Sequence, residues 1–414
     1  MRFALAAPRQ PTYHERMRSV FCALGAIFIV AACSGNTDDG SGGTGGTNAG
    51  GTHSGGTHSG GTSTGGTHTG GTHTGGTSTG GGGAGGGLAG EWLIVQGNHI
   101  IHADGTPFHG RGANLHDERS CSACSFAPPN PEGVNRWSDE LIDVWHANFI
   151  RFLLSSKAGP YNQWEVQWQS LVDDPQYLAD VKNNVEHMAS KPGVYILVTL
   201  FADPTVKLEN GDYDSEWPSS AGDTNARYTL LAEAFYDNPR VLFGLTNEPH
   251  GSADHDAELA TVYTQAVAAI RSVEDSHGTP HHIVVVQAPE GWARDLTYFV
   301  AHPLAGDQIA YEIHPYNPAS DFDALIVQPS QTLPIIIGEY GPAGSMTDSD
   351  IQALWTTAQA QGVPYIGWNF HQRCSPDMLQ DTASDGCGLD VSTGYDFPRT
   401  AWGDLMYGHL ATPW

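Results

Sequence analysis

From residue 88 onward, short and almost continuously apolar runs alternate with longer stretches of helical periodicity. The apolar runs are Phe108 to Leu115, Asn148 to Leu154, Tyr195 to Phe201, Val241 to Thr246, Ile283 to Gln287, Ile309 to His314, Pro334 to Glu339 and Tyr365 to Phe370. Runs of this length without polar alternation, bounded by Gly or Pro, predict parallel strands buried on both faces. Between them, Asp139 to Ala147, Tyr177 to Ala189, Ala226 to Tyr236, Glu258 to Glu274 and Ser349 to Gln361 carry the spacing of amphipathic helices. Eight strands separated by helices are what a closed (β/α)8 barrel of the α/β class requires. A doubly wound open sheet alternates similarly, but no Gly-x-Gly-x-x-Gly follows the first strand. Ahead of the barrel, Trp92 to Val95 and His99 to His102 flank a turn at Gly97-Asn98. That pattern predicts a short β-hairpin, placed to plug the bottom of the barrel.

The front of the chain reads differently. Residues 34 to 87 are mostly Gly, Thr, Ser and His with almost nothing apolar, and a five-residue unit such as Gly55-Gly56-Thr57-His58-Ser59 recurs. No face there buries enough surface to offset chain entropy, so the segment is expected to be a disordered tether with a mean end-to-end distance of about 40 Å. Within residues 1 to 33, Arg16 and Arg18 precede an apolar stretch from Val20 to Ala32 that is too short for an ordinary membrane span and has the layout of an export signal. Residues 88 to 414 remain for the barrel.

Two of the apolar runs end in a glutamate: Thr246-Asn247-Glu248-Pro249 and Ile337-Gly338-Glu339-Tyr340. Strand exits are where barrel enzymes keep their chemistry. Paired carboxylates suit glycosidic bond cleavage, in which one protonates the leaving oxygen and the other attacks the anomeric carbon or activates water. Other polar residues fall at the remaining exits: Asn114 and His116 on strand one, Arg151 on strand two, His314 and Tyr316 on strand six, Trp368 on strand eight. In such a pair the acid needs its pKa raised toward neutrality, and the nucleophile needs a nearby cation or donor to stay charged.

In order and spacing these signals resemble glycoside hydrolase family 5, the retaining (β/α)8 glycosidases, across residues 90 to 410. The resemblance implies that Glu248 is the acid/base and Glu339 the nucleophile. Asn247 then holds the sugar 2-hydroxyl, Arg151 and Tyr316 hydrogen-bond the nucleophile and keep it ionised, His314 sits beside the acid/base, and Trp368 forms an aromatic floor. Asn114 and His116 match the family's first-strand polar positions. One position departs: Phe201 stands at the end of strand three, where many members carry a His. The Val30-Ala31-Ala32-Cys33 segment resembles the lipobox of bacterial lipoproteins, which implies lipid on Cys33, and Ser34 after it implies the outer membrane.

Loop tryptophans Trp164, Trp168, Trp217 and Trp292 are candidate sugar-stacking platforms. Cys121 and Cys124 follow strand one and Cys374 and Cys387 follow strand eight, strands that are neighbours in a closed barrel. Two disulfides or a four-cysteine zinc site both fit, and export favours disulfides with the pairing open. The formal charge of -27, with 18 basic residues, argues against nucleic acid as a partner. The chain is therefore expected to be an exported, lipid-anchored, monomeric endo-β-glycosidase that needs no metal or other cofactor. Its expected substrate is a β-linked polysaccharide: β-1,4-glucan first, β-mannan as the near rival. A carbohydrate-binding surface lipoprotein without catalysis is the alternative from another class.

Overall fold

The computed structural model describes residues 91–117, 131–155, 171, 174–201, 221–249, 256–287, 292–372, 374–382 and 394–414. Its first elements are two antiparallel strands, β1 (Leu93–Gln96) and β2 (His99–His102), paired from Leu93↔His102 to Gln96↔His99. Gly97 turns between them at φ +64°, a conformation that costs glycine little. Eight parallel strands follow: β3 (Arg111–His116), β4 (Phe149–Ser155), β5 (Tyr195–Phe201), β6 (Val241–Gly244), β7 (Val284–Gln287), β8 (Ile309–Ile313), β9 (Ile335–Ile337) and β10 (Tyr365–Gly367). They hydrogen-bond in chain order, and β10 closes onto β3. The (β/α)8 barrel and the hairpin expected from the apolar pattern are both present.

Four of the barrel strands, β6, β8, β9 and β10, stop short of the apolar runs that predicted them. The run Pro334 to Glu339, for example, pairs only over Ile335–Ile337, because the last residues lift off the sheet into the loop that carries the chemistry. The helix expected over Asp139 to Ala147 begins earlier, as an α-helix over Pro131–Asp139 that widens into a π-helical turn over Glu140–Val144. Pro131 at the start and Glu132 in the first turn are start signals that the expectation passed over. The helix over Ala401–Leu410, capped by the Thr400 hydroxyl, was also not expected.

Apolar side chains divide into two cores. One lies between strands and helices; the other fills the lower barrel with Phe108, Phe149, Tyr195, Leu197, Leu242, Ile283, Val285, Ala310, Ile336 and Ile366. Leu93 and Ile100 of the hairpin belong to that inner core, so the hairpin does plug the barrel floor. Above it the interior turns polar. Gly244 and Gly338 make room there: a Cβ on Gly244 would sit 2.1 Å from Thr199 Oγ1, and one on Gly338 would sit 1.9 Å from Glu312 Oε1.

Phe108 is 2% exposed and meets the rings of Phe149 and Tyr195 at 5.2 and 5.0 Å. Phe108→Ala is expected to cost about 3–5 kcal/mol in denaturant unfolding, as for other large-to-small changes in closed cores. A loss under about 1 kcal/mol would mean that the floor carries little of the barrel's stability.

Candidate active site

Arg151 lies at the middle of β4 with a fully buried side chain that points into the polar layer. Nη1 donates to Asn114 Oδ1 at 3.0 Å and to Glu339 Oε1 at 2.9 Å. Nη2 donates to Asn247 Oδ1 at 2.7 Å. Nε sits 2.8 Å from Glu312 Oε1, close enough for an ion pair although not aligned as a hydrogen bond. Asn114 in turn donates to the carbonyls of Gly338 and Gly367, which pins the exits of β9 and β10.

Glu339 follows β9 by two residues and is 4% exposed. Besides Arg151 it accepts from the Tyr316 hydroxyl at 3.0 Å. Burial and the nearby carboxylates keep that phenol protonated by pushing its pKa well above the usual value, so Tyr316 serves only as a donor. Glu248 is more open and takes a left-handed backbone conformation, φ +46°, uncommon outside glycine and frequent at functional sites. Its N–H donates to Gln287 Oε1 at 2.6 Å, which helps hold that turn.

His314 joins the two glutamates. Its Nδ1 is 2.8 Å from Glu248 Oε1 and 3.6 Å from Glu339 Oε1, and its Nε2 is 2.8 Å from Glu312 Oε1. Acceptors at both ring nitrogens call for an imidazolium. Burial opposes the charge, but Glu339 and the hydrogen bonds to Glu248 and Glu312 outweigh it and push His314 up to about 9.

The expectation that Arg151 and Tyr316 would keep Glu339 low does not survive its depth. Burial pushes the Glu339 carboxyl up, with Glu248 and Glu312 adding to the effect, and His314 and Arg151 only partly offset it, leaving it at about 7. Sequence showed the donors but not how completely the group is enclosed. Glu248, His314 and Glu339 each offer an atom within 4.8 Å of the other two, a spacing a divalent cation accepts. An imidazolium has no lone pair to give, and the Arg151 guanidinium already neutralises Glu339, so this arrangement suits proton transfer better than metal binding.

The remaining expected residues lie around this centre. Trp368, just beyond β10, donates its backbone N–H to the Tyr340 carbonyl next to Glu339 and is 7% exposed. His116 is buried, edge-on to Trp368 at 5.2 Å and near His371 at 5.5 Å; burial, His371 and Arg151 hold it neutral by lowering its pKa well below the usual range. Trp292 is 40% exposed and, with Ala293, left-handed in backbone; Ala293 O accepts from His314 N, which ties that segment to the site. Cys374 is disulfide-bonded, while Cys121, Cys124 and Cys387 lie outside the described residues, as do Cys33, Trp164, Trp168 and Trp217. Phe201 closes β5.

Two site residues went unrecognised in the sequence. Glu312 lies in β8 on the same face as His314, two residues earlier, and Gln287 is the last residue of β7. An ionisable residue inside an apolar parallel strand, in step with a strand-end histidine, was the available signal.

A cellulase family model, glycosyl hydrolase family 5, matches residues 101–373. The chain belongs to glycosyl hydrolase family 5. A mannan endo-1,4-beta-mannosidase of Streptomyces lividans is 28% identical over 184 residues, 41% of this chain and 43% of that protein. A second mannan endo-1,4-beta-mannosidase, from Cellvibrio japonicus, is 21% identical over 326 residues, 75% of this chain and 65% of that protein. The chain thus spans under two thirds of the length of these curated relatives. Among solved structures, a β-glucanase of Saccharophagus degradans in complex with cellotetraose superposes with a TM-score of 0.59 at 21% identity, over 77% of this chain and 92% of that one. A Streptomyces mannanase catalytic domain gives a TM-score of 0.53 at 19% identity, over 76% of this chain and 88% of that one. Both show the shared barrel.

The two raised values act on stability in one direction. Glu339, ordinarily 4.5, holds in the folded state a proton that the unfolded chain releases, so folding loses stability from about 4.5 up through about 7. His314, ordinarily 6.5, contributes stability that is complete below 6.5 and lost as pH rises through about 9. Calorimetry across about pH 6 to 9.5 is expected to show a falling melting temperature. A constant or rising one would contradict the buried imidazolium.

Proposed function

We propose that this protein is a retaining endo-β-glycosidase that cleaves a β-1,4-linked polysaccharide. The observation that carries this reading is the close approach of Glu248 and Glu339 at the strand exits, with oxygens within 4.8 Å of each other. Retaining enzymes hold their carboxyl groups about 5 Å apart, whereas inverting enzymes leave about 6.5 to 9.5 Å for a water. In this mechanism Glu339 attacks the anomeric carbon while Glu248 protonates the leaving oxygen, giving a glycosyl-enzyme. Glu248 then takes a proton from the water that releases the sugar. Arg151 and Tyr316 stabilise Glu339 as it leaves the anomeric carbon. Asn247, its carbonyl engaged by Arg151, has amide protons to offer a sugar hydroxyl. Trp368 and Trp292 supply aromatic faces for sugar stacking.

For the polymer itself, the family resemblance led to glucan first and mannan second. The two curated relatives are mannan hydrolases and support mannan. The cellotetraose-bound neighbour supports the fold. Residues 1 to 33 as an export signal with a lipid on Cys33, residues 34 to 87 as a tether, residues 88 to 414 as the catalytic barrel, a monomeric state and an outer-membrane location complete the proposal. Disulfides among Cys121, Cys124, Cys374 and Cys387 would brace the loops after the first and last barrel strands.

Reducing-sugar release on glucan, mannan, xylan and xyloglucan tests it. Activity is expected on mannan or glucan and is lost in Glu339→Ala, with azide restoring turnover and inverting the product. Glu248→Ala is expected to lose about 10²–10⁴-fold on polysaccharide yet keep activity on substrates with good leaving groups. Full activity of either variant on polysaccharide would refute the roles. A folded protein that binds a polymer and cuts none would favour the carbohydrate-binding lipoprotein.

A further inference from the structure

Within the buried charge cluster, the proposed reaction gives no step to His314 or to Glu312. The Glu312 side chain is enclosed on β8, deeper in the barrel than His314, and out of reach of a sugar in the cleft above. Burying a third carboxylate is costly unless it is paired, and the chain meets that cost in a specific way. Glu312 Oε1 lies 2.8 Å from Arg151 Nε and 2.8 Å from His314 Nε2, so one oxygen holds both cations of the site. Gly338 gives up a side chain to admit it, since any Cβ there would collide with that same oxygen.

Carboxylate chemistry matters at this position. A backbone carbonyl facing Nε2 would orient the ring equally well but leave it a neutral donor on one side. A carboxylate favours the charged ring, with both nitrogens donating. The groups facing His314 are Glu248 from the loop after β6, Glu339 after β9, Glu312 on its own strand, and neutral Gln287 on β7. With all groups ionised, Glu248, Glu312 and Glu339 against Arg151 and His314 leave a single excess negative charge. One proton neutralises the set, and acid catalysis by Glu248 needs one proton.

We propose that Glu312 is a positioning residue that holds His314 doubly protonated and fixed against Glu248, and thereby sets the pH window in which the site can cleave. This rests on the glycosidase reading above. Burial opposes the charge on Glu312 itself, but Arg151 and His314 outweigh it and hold its carboxyl below the usual range, so it is ionised whenever the enzyme works.

Glu312→Gln preserves size and one acceptor oxygen while removing the charge. Loss of a negative charge lowers the proton affinity of every neighbour, so both limbs of the kcat/KM against pH profile are expected to move to lower pH by about one unit or more. A uniform fall in rate with unmoved limbs, from a variant with native circular dichroism, would mark Glu312 as structural only and overturn the proposal. Nitrogen-15 NMR of the native protein supplies a readout independent of both turnover and variant folding, with the His314 resonances identified by their loss in His314→Asn. Both ring nitrogens are expected to stay protonated at pH 7 and to titrate only near the upper limb. A neutral His314 at pH 7 would overturn the proposal, even if the polysaccharide assay had already failed and with it the glycosidase reading.

Discussion

A buried guanidinium keeps its charge, so it must be paired on all sides or the cost of burying it goes unmet, and Arg151 satisfies that demand by drawing on four other strands. Asn114 comes from β3, Asn247 from the exit of β6, Glu312 from β8 and Glu339 from the exit of β9. Site assembly therefore needs strands from both sides of the barrel, β3 and β4 together with β6, β8 and β9, in place at once. Removing one partner of such a buried pair typically leaves about 3–5 kcal/mol of uncompensated charge. The apolar floor below, filled by the hairpin and the inner ring of Phe, Tyr, Leu, Val and Ile side chains, keeps water from competing for these bonds.

The polar layer exists because two strands surrender their side chains. Gly244 yields space to Thr199 and Gly338 to Glu312. An ordinary barrel layer is packed with branched aliphatics; here that volume is given to an ion network whose charges nearly cancel. Three carboxylates and two cations differ by one proton, and that proton is mobile near neutrality because Glu339 is raised to about 7 while His314 holds its own up to about 9. The proposed acid and nucleophile differ in surroundings as such a pair should. Glu248 is partly open to the cleft, and Glu339 is enclosed and held by two donors.

Much of this was legible in the chain. Parallel strands are buried on both faces, so each announced itself as a continuous apolar run, and the eight-fold alternation led directly to a closed barrel. Glu248 and Glu339 stood out because a carboxylate ending such a run has little packing reason to be there. Asn247, Arg151, His314 and Tyr316 do converge on them, and Asn114 proves to be the clamp that ties Arg151 to the exits of β9 and β10. What escaped is set by depth, which sequence does not encode. Glu312 looked like one polar residue in an apolar strand, and only the closed barrel aims it at Arg151 and His314. The acidity expected for Glu339 missed for the same reason: its donors are visible in sequence, its enclosure is not.

Stereochemistry tests the central claim most directly, because carboxylates with oxygens within 4.8 Å of each other fit direct attack on the sugar rather than attack by an intervening water. Proton NMR of the first products released from a soluble β-1,4-linked oligosaccharide, recorded before mutarotation, reads it in a single experiment. The account predicts that the β-anomer appears first and the α-anomer grows in later. An α-anomer formed first would contradict it, and would make Glu339 a base acting on water rather than a nucleophile.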